Sequence, residues 1–260
     1  MQYCGVTLKT ATAGLLLAAF TMMAGMPAGA ESTNQPPSQP ASATKPKKIE
    51  NSLNLAFIKS PSTKTNADTR KGLKMLRSTL NRRTSIHPDG VVGIDIEKDN
   101  IILFPFVYWP ITHNTPPLSE QAQQKVQTYI NAGGILLLDV REKKLLKKTL
   151  GHVQIKPLIP IDQDHTLTKS YYLLPGLPGS SHFGKTWVEK KNPNENDYVS
   201  SVIIGDGNWA GAWAGVTTPE NSRDREMALR AGVNMIMYAL TGNYKSDQIH
   251  VPSILERLGR

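Results

Sequence analysis

An α/β fold built on a mostly parallel sheet is the class this sequence predicts, and three observations predict it. Ile135-Leu136-Leu137-Leu138 is a continuous apolar run, the pattern of a strand buried on both faces. Just before it, Ala122, Val126, Tyr129 and Ile130 form one apolar helical face, closed by Gly133-Gly134. Near the C-terminus, Leu229, Val233, Ile236 and Leu240 recur at i, i+4, i+7 and i+11, a stripe that docks on a core. A helix, a glycine pair and a buried strand in that order are the connection that parallel strands require.

The elements follow in chain order. Residues 1–30 read as a secretory signal peptide. Lys9 supplies the charge, Ala11 to Phe20 is apolar, Pro27 ends the run, and Ala28-Gly29-Ala30 offers small residues to a signal peptidase. The alternative is an uncleaved signal that anchors the chain, but a span needs roughly 20 apolar residues and this run is shorter. Residues 31–50, rich in Pro, Ser, Thr and Lys, read as a disordered linker. Residues 51–260 form a single α/β domain. Leu53 to Ile58 is its first strand, and Leu73, Leu76 and Leu80 mark its first helix. Ile101–Phe104 and Phe106–Trp109 make a second apolar run, and Pro105 predicts an edge or a bulge there. Ser119 and Glu120 suit the start of the next helix. A basic helix from Arg141 stops at Gly151. Ile155–Ile161, Thr186–Glu189 and Val199–Ile204 are further strand candidates, the last ending in the turn signal Gly205-Asp206-Gly207-Asn208. The last helix starts near Ser222, and Gly242 closes it.

Composition narrows the chemistry. The only cysteine is Cys4, so residues 31–260 contain no thiol. Disulfides, thiolate nucleophiles and Cys-ligated metals are excluded there. The formal charge is +9, and removing 1–30 takes one basic residue, Lys9, leaving +8. Outside the cytoplasm that balance suits anionic lipid, an envelope polymer or a solvated surface. Nucleic acid is the weaker reading, because no basic-aromatic motif is present.

Two passages carry a family resemblance. One runs from Tyr108-Trp109-Pro110 through Pro117-Leu118-Ser119 to Ala132-Gly133-Gly134 and Leu138-Asp139. The other comprises Arg225-Glu226-Met227-Ala228, Gly232-Val233-Asn234 and Met237 to Tyr244. Together they resemble the bacterial domain of unknown function numbered 4159, from about Leu53 onward. The resemblance implies a flavodoxin-like three-layer sandwich, similar to class I glutamine amidotransferases, and it brings no established activity. In those amidotransferases a cysteine nucleophile sits at a sharp strand-to-helix turn. By analogy of position, Asp139 stands near that turn here, so glutaminase chemistry is not carried over.

Several residues are candidates for a site. Asp139, Arg141 and Glu142 follow the C-terminal end of a parallel strand, where open α/β sheets hold ligands. Asp139 could act as base or nucleophile beside an anion-binding Arg141, or it could cap the next helix, since aspartate is a preferred N-cap residue. Asp162, Asp164 and His165 cluster without metal-ligand spacing, which favours a turn with a capping residue over a metal site. His165 stays a catalytic candidate, and Trp109 and His113 stay ligand candidates. Trp209 and Trp213, four apart among small residues, could offer a glycan platform or fill the core. Arg223, Glu226 and Arg230 share another helical face, with Glu226 and Arg230 spaced for an ion pair. No metal or other cofactor is implied. The function expected is a non-catalytic, exported binding or assembly module, periplasmic and acting with inner-membrane or envelope proteins and anionic lipid. The alternatives are an envelope hydrolase using Asp139 with a nearby His, and a glycan-binding module using Trp209 and Trp213. An open, polar crevice at Asp139 with convergent side chains would favour an enzyme, and a filled one a scaffold.

Overall fold

A computed structural model describes residues 53–140, 142–180, 185–190, 199–219 and 222–257. The signal peptide and the linker expected at 1–50 lie outside the described residues. Among the described residues no helix is long and apolar enough to cross a membrane.

Seven strands form one sheet. They are β1 (Asn54–Ile58), β2 (Gly90–Ile94), β3 (Phe106–Ile111), β4 (Ile135–Val140), β5 (Leu158–Pro160), β6 (Trp187–Glu189) and β7 (Val202–Gly205). Their spatial order is β2-β1-β3-β4-β7-β6-β5. The pairs β1–β2, β1–β3, β3–β4 and β4–β7 are parallel, whereas β6 runs antiparallel to both β7 and β5. The protein is therefore α/β with a mostly parallel sheet. Its first five positions follow the order 2-1-3-4 and then a later strand, consistent with a flavodoxin-like sandwich.

The helices of the described residues are α1 (Thr63–Arg83), α2 (Glu120–Asn131), α3 (Lys143–Leu150), α4 (Thr166–Lys169), α5 (Trp209–Ala214) and α6 (Arg223–Arg257). Alternation along the strands sorts the core into two halves. Leu55, Phe57, Phe106, Tyr108, Ile135, Leu137 and Ile203 face the layer that holds α1, α4, α5 and α6. Ala56, Ile58, Val107, Trp109, Leu136, Leu138, Val202 and Ile204 face α2 and α3. Both faces are apolar because both are covered, which is why these strands read as unbroken apolar runs.

Local chemistry sets the element ends. The Ser62 and Ser119 hydroxyls accept from the Thr65 and Ala122 amides at 3.2 and 3.1 Å, capping α1 and α2. After α2, Gly133 takes φ 82°, a left-handed conformation that glycine adopts freely. Gly72 has a different task. A Cβ there would lie 2.2 Å from the Ala210 carbonyl oxygen, so glycine lets α1 approach the backbone of α5.

Two expectations need correction, and one strand was not anticipated. The run containing Phe106–Trp109 is not an edge: β3 lies between β1 and β4. Pro105 falls just before the strand, where only its carbonyl is used, accepting from the Ile135 amide at 3.0 Å. The edges are β2 and β5, and the unanticipated strand is β2, whose short sequence GVVGI gives little periodic signal. Finally, α6 does not close at Gly242 but continues to Arg257. A glycine inside a helix costs only about 1 kcal/mol against alanine, which weakens a helix without ending it.

The stripe on α6 is part of a broader contact. Val233 and Ile236 are fully buried and Leu229 nearly so, while Leu240 packs on the core edge. Ala228, Ala231, Met235 and Ala239 are buried as well. Ile236→Ala should therefore destabilise the fold by roughly 2–5 kcal/mol, which for a domain of this size lowers Tm by several to about 20 °C. Arg223 is exposed, and Arg223→Ala should stay within about 0.5 kcal/mol of the parent. Thermal unfolding of the two variants checks this, and a larger loss for Arg223→Ala would show that the buried face of α6 is misassigned.

Candidate functional site

The strand order reverses beside β1: the chain leaves β1 for β2 on one side and returns to β3 on the other. In open α/β sheets the carboxyl ends of the strands at such a switch point leave a crevice. A cleft of about 510 Å³ lies there, within the size range of small-ligand sites. Its walls come from the first turns of α1, the end of β3 with the loop after it, the end of β4, and the start of α5.

Asp139 lies in the floor and is 8 % exposed. One carboxylate oxygen accepts from the Asn208 amide at 3.0 Å. The other accepts from the Trp209 amide at 2.9 Å and the Tyr108 hydroxyl at 2.5 Å. The negative charge thus sits on two amides at the start of α5, where the helix dipole favours it. Tyr108 is fully buried, and burial followed by the neighbouring Asp139 charge pushes its phenol well above the ordinary value. It remains a neutral donor. Asn208 carries φ 43°, the one positive φ outside glycine among the described residues, and asparagine tolerates that left-handed conformation better than most residues.

Asp139 therefore caps a helix, but not the one expected. The residue at the start of α3 is Glu142, whose side chain makes no cap hydrogen bond. The carboxylate of Asp139 instead reaches 69 positions along the chain to α5. Glu142 takes the His113 Nε2 at 2.8 Å and the Lys144 ammonium at 2.7 Å. Lys144 first, with smaller help from His113, holds the Glu142 carboxyl below its ordinary value. His113 and Glu142 line the same cleft as Asp139. Arg141 lies outside the described residues.

A family model, Domain of unknown function (DUF4159), matches residues 54–240. The chain belongs to that family. No curated protein matches it. The match runs from β1 to within α6, and so includes every strand and the whole cleft.

The remaining candidates of this family domain fall elsewhere. Trp109 is buried on the α2–α3 face of the sheet, opposite the face that carries Tyr108. Trp209 and Trp213 are fully buried, and their indole N–H groups donate to the Leu177 and Ala228 carbonyls at 3.2 and 2.8 Å. Neither ring shows a face to solvent, so the expected glycan platform on these two residues does not exist; they are core. His165 is absent from the cleft lining. Its Nδ1 accepts from the Leu167 amide at 3.1 Å and caps α4, and burial pulls its pKa below the ordinary value. Asp162 accepts from the Asp164 amide at 3.0 Å, and Asp164 pairs with Lys169 at 2.7 Å. Among the described residues no group of three or more His, Cys, Asp and Glu is placed to hold a metal.

The α6 face holds a network larger than its spacing suggested. Glu226 pairs with Arg230 at 2.8 Å, and Arg83 at the end of α1 forks onto both Glu226 oxygens at 2.8 and 2.9 Å. Arg225, not Arg223, is the buried guanidinium, donating to the Trp213 carbonyl at 3.3 and 3.1 Å. Sequence reasoning missed Tyr108, Thr65, Thr69 and Asn208 as cleft residues. The available signals were their places within the apolar run of β3, at the start of α1, and in the Gly205–Asn208 turn.

Arg83, with lesser help from Arg230, holds the Glu226 carboxyl below its ordinary value of 4.5. The pair thus contributes stability above the unfolded-state value, and the contribution is lost as pH falls through the lower folded value. Glu226 is about one-third exposed, so solvent keeps the effect near or below about 1 kcal/mol. Glu226→Gln should melt below the parent at pH 7, with the gap closing as pH falls below 4.5. Melting curves across pH 3–7 check this, and a gap that widens on acidification contradicts it.

Proposed function

We propose that this protein is an exported, non-catalytic binding or assembly module of the cell envelope, built on a glutamine amidotransferase-like scaffold whose cleft binds rather than reacts. One observation carries this reading. At the position analogous to the amidotransferase nucleophile stands Asp139, and its oxygens already accept from Tyr108, Asn208 and Trp209. A carboxylate that holds a helix in place is poorly disposed to attack a substrate or take its proton, because either act would release α5. The cleft is open, the form expected above of an enzyme, but the side chain that would react there, Asp139, is already taken up by its own donors.

Export rests on the apolar run and Ala28-Gly29-Ala30, which put the mature start at Glu31 in the periplasm. Envelope and inner-membrane proteins are the partners this location offers. Attraction to anionic lipid would come through α3, where Lys144, Lys147 and Lys148 are exposed. Leu145 and Leu150 of the same helix are buried against the sheet, so that contact would be electrostatic and would weaken with salt.

The hydrolase alternative keeps one supporting observation: His113, oriented by Glu142, shares the cleft with Asp139. Asp139→Asn separates the two readings. Loss of part of the buried acceptor set should destabilise the domain by about 1–3 kcal/mol, several degrees in Tm. Incubation with glutamine should release no ammonia above a heat-treated control in parent or variant. Ammonia release by the parent that disappears in an Asp139→Asn protein of unchanged Tm would establish the hydrolase instead.

A further inference from the structure

We infer that the cleft takes a small, uncharged, hydroxyl-bearing molecule of sugar or polyol type, held by hydrogen bonds to Thr65, Thr69 and Asn208. This rests on the reading of the cleft as a binding site, and it adds the chemical class of the ligand.

The charges of the lining come first. Lys64 is paired with Asp68 at 2.6 Å. Glu142 is paired with Lys144 and His113. Asp139 accepts from three donors. Each described charged side chain of the lining is thus already answered. Among the described lining residues carboxylates also outnumber ammonium groups, with Asp68, Asp139 and Glu142 against Lys64. An anion entering the cleft would meet repulsion, and a cation would have to displace an existing partner.

The neutral polar groups stand differently. Among the described residues, the hydroxyls of Thr65 and Thr69 and the carboxamide of Asn208 have no hydrogen-bond partner, although all three residues line the cleft. Thr69 is the telling case because it is 2 % exposed. Its hydroxyl is not sealed off, since the buried side-chain atoms without a partner among the described residues are Thr149 Oγ1 and Thr186 Oγ1; it opens on the cleft, where valine of the same shape would serve packing at least as well. Sites that hydrogen-bond a ligand hydroxyl keep such groups unanswered by the protein itself. Asn208 is held in its left-handed conformation between Asp139 and Gly211. A Cβ on Gly211 would lie 2.8 Å from the Asn208 carboxamide oxygen, so glycine keeps that amide free to sit over the helix start. Pro110, Ile111 and Val216 supply apolar wall for the C–H surface of such a ligand. Recognition is by hydrogen bonds at this cleft and involves neither Trp209 nor Trp213.

The test is a titration of the purified protein followed by amide chemical shifts, with glucose and N-acetylglucosamine as uncharged probes, and inorganic phosphate and putrescine as charged ones. Thr69→Val is run beside the parent. The uncharged probes should shift the Thr65, Thr69 and Asn208 amides saturably. Thr69→Val should weaken that binding about two- to tenfold, the range of one neutral hydrogen bond, with Tm unchanged or raised. Shifts of these amides by phosphate or putrescine alone would overturn the uncharged class and leave a binding cleft standing. Silence toward all four probes at tens of millimolar would overturn the inference, and Asp139→Asn would still decide between binding and hydrolysis. Unchanged affinity in Thr69→Val would remove Thr69 from the site and overturn the assignment.

Discussion

The carboxylate of Asp139 joins three pieces of chain that are distant in sequence. It ends the central strand β4, takes the phenol of Tyr108 from the neighbouring strand β3, and caps α5 through the Asn208 and Trp209 amides. The helix it holds is short and entirely buried, so it could not support itself in water. A buried charge is tolerable only with donors aimed at it, and the backbone at the start of a helix supplies them. Fixing α5 fixes Trp209 and Trp213 in the core. It also sets the surface against which α1 packs at Gly72 and α6 packs through Trp213 and Arg225.

The cleft follows from the same constraint. Strands that end at a switch point leave a gap between the flanking helices, and here α1 and α5 form its sides. Because Asp139 turns its oxygens toward α5, the floor is electrostatically satisfied. Thr65, Thr69 and Asn208, which are neutral, line the same cleft. In a nucleophile elbow the strand end presents a reactive atom to the cleft, whereas here it presents a strut.

Much of the fold was legible because burial on both faces leaves an unbroken apolar run, as in Ile135–Leu138, and because Ser119 and Gly133 are strong local signals for helix ends. The strand β2 was illegible for the opposite reason: two glycines in five residues leave no pattern. At the cleft, position along a strand pointed to Asp139, but its role depended on a partner 69 residues away, and no local rule supplies such a contact. The preference of aspartate for helix starts was correct in kind and wrong in address. Trp209 and Trp213 show the same limit. Their spacing placed both rings on one helix face, yet only the packing of α1 and α6 over α5 decided that the face is interior.

The central claim is that Asp139 holds the start of α5, and native-state amide hydrogen exchange tests it at the atoms concerned. In the parent protein the Asn208 and Trp209 amides should exchange orders of magnitude more slowly than an open backbone. Asp139→Ala should abolish that protection while leaving the amides inside α2, such as Val126, slow. Rapid exchange of both amides in the parent, or protection that survives Asp139→Ala, would contradict the account.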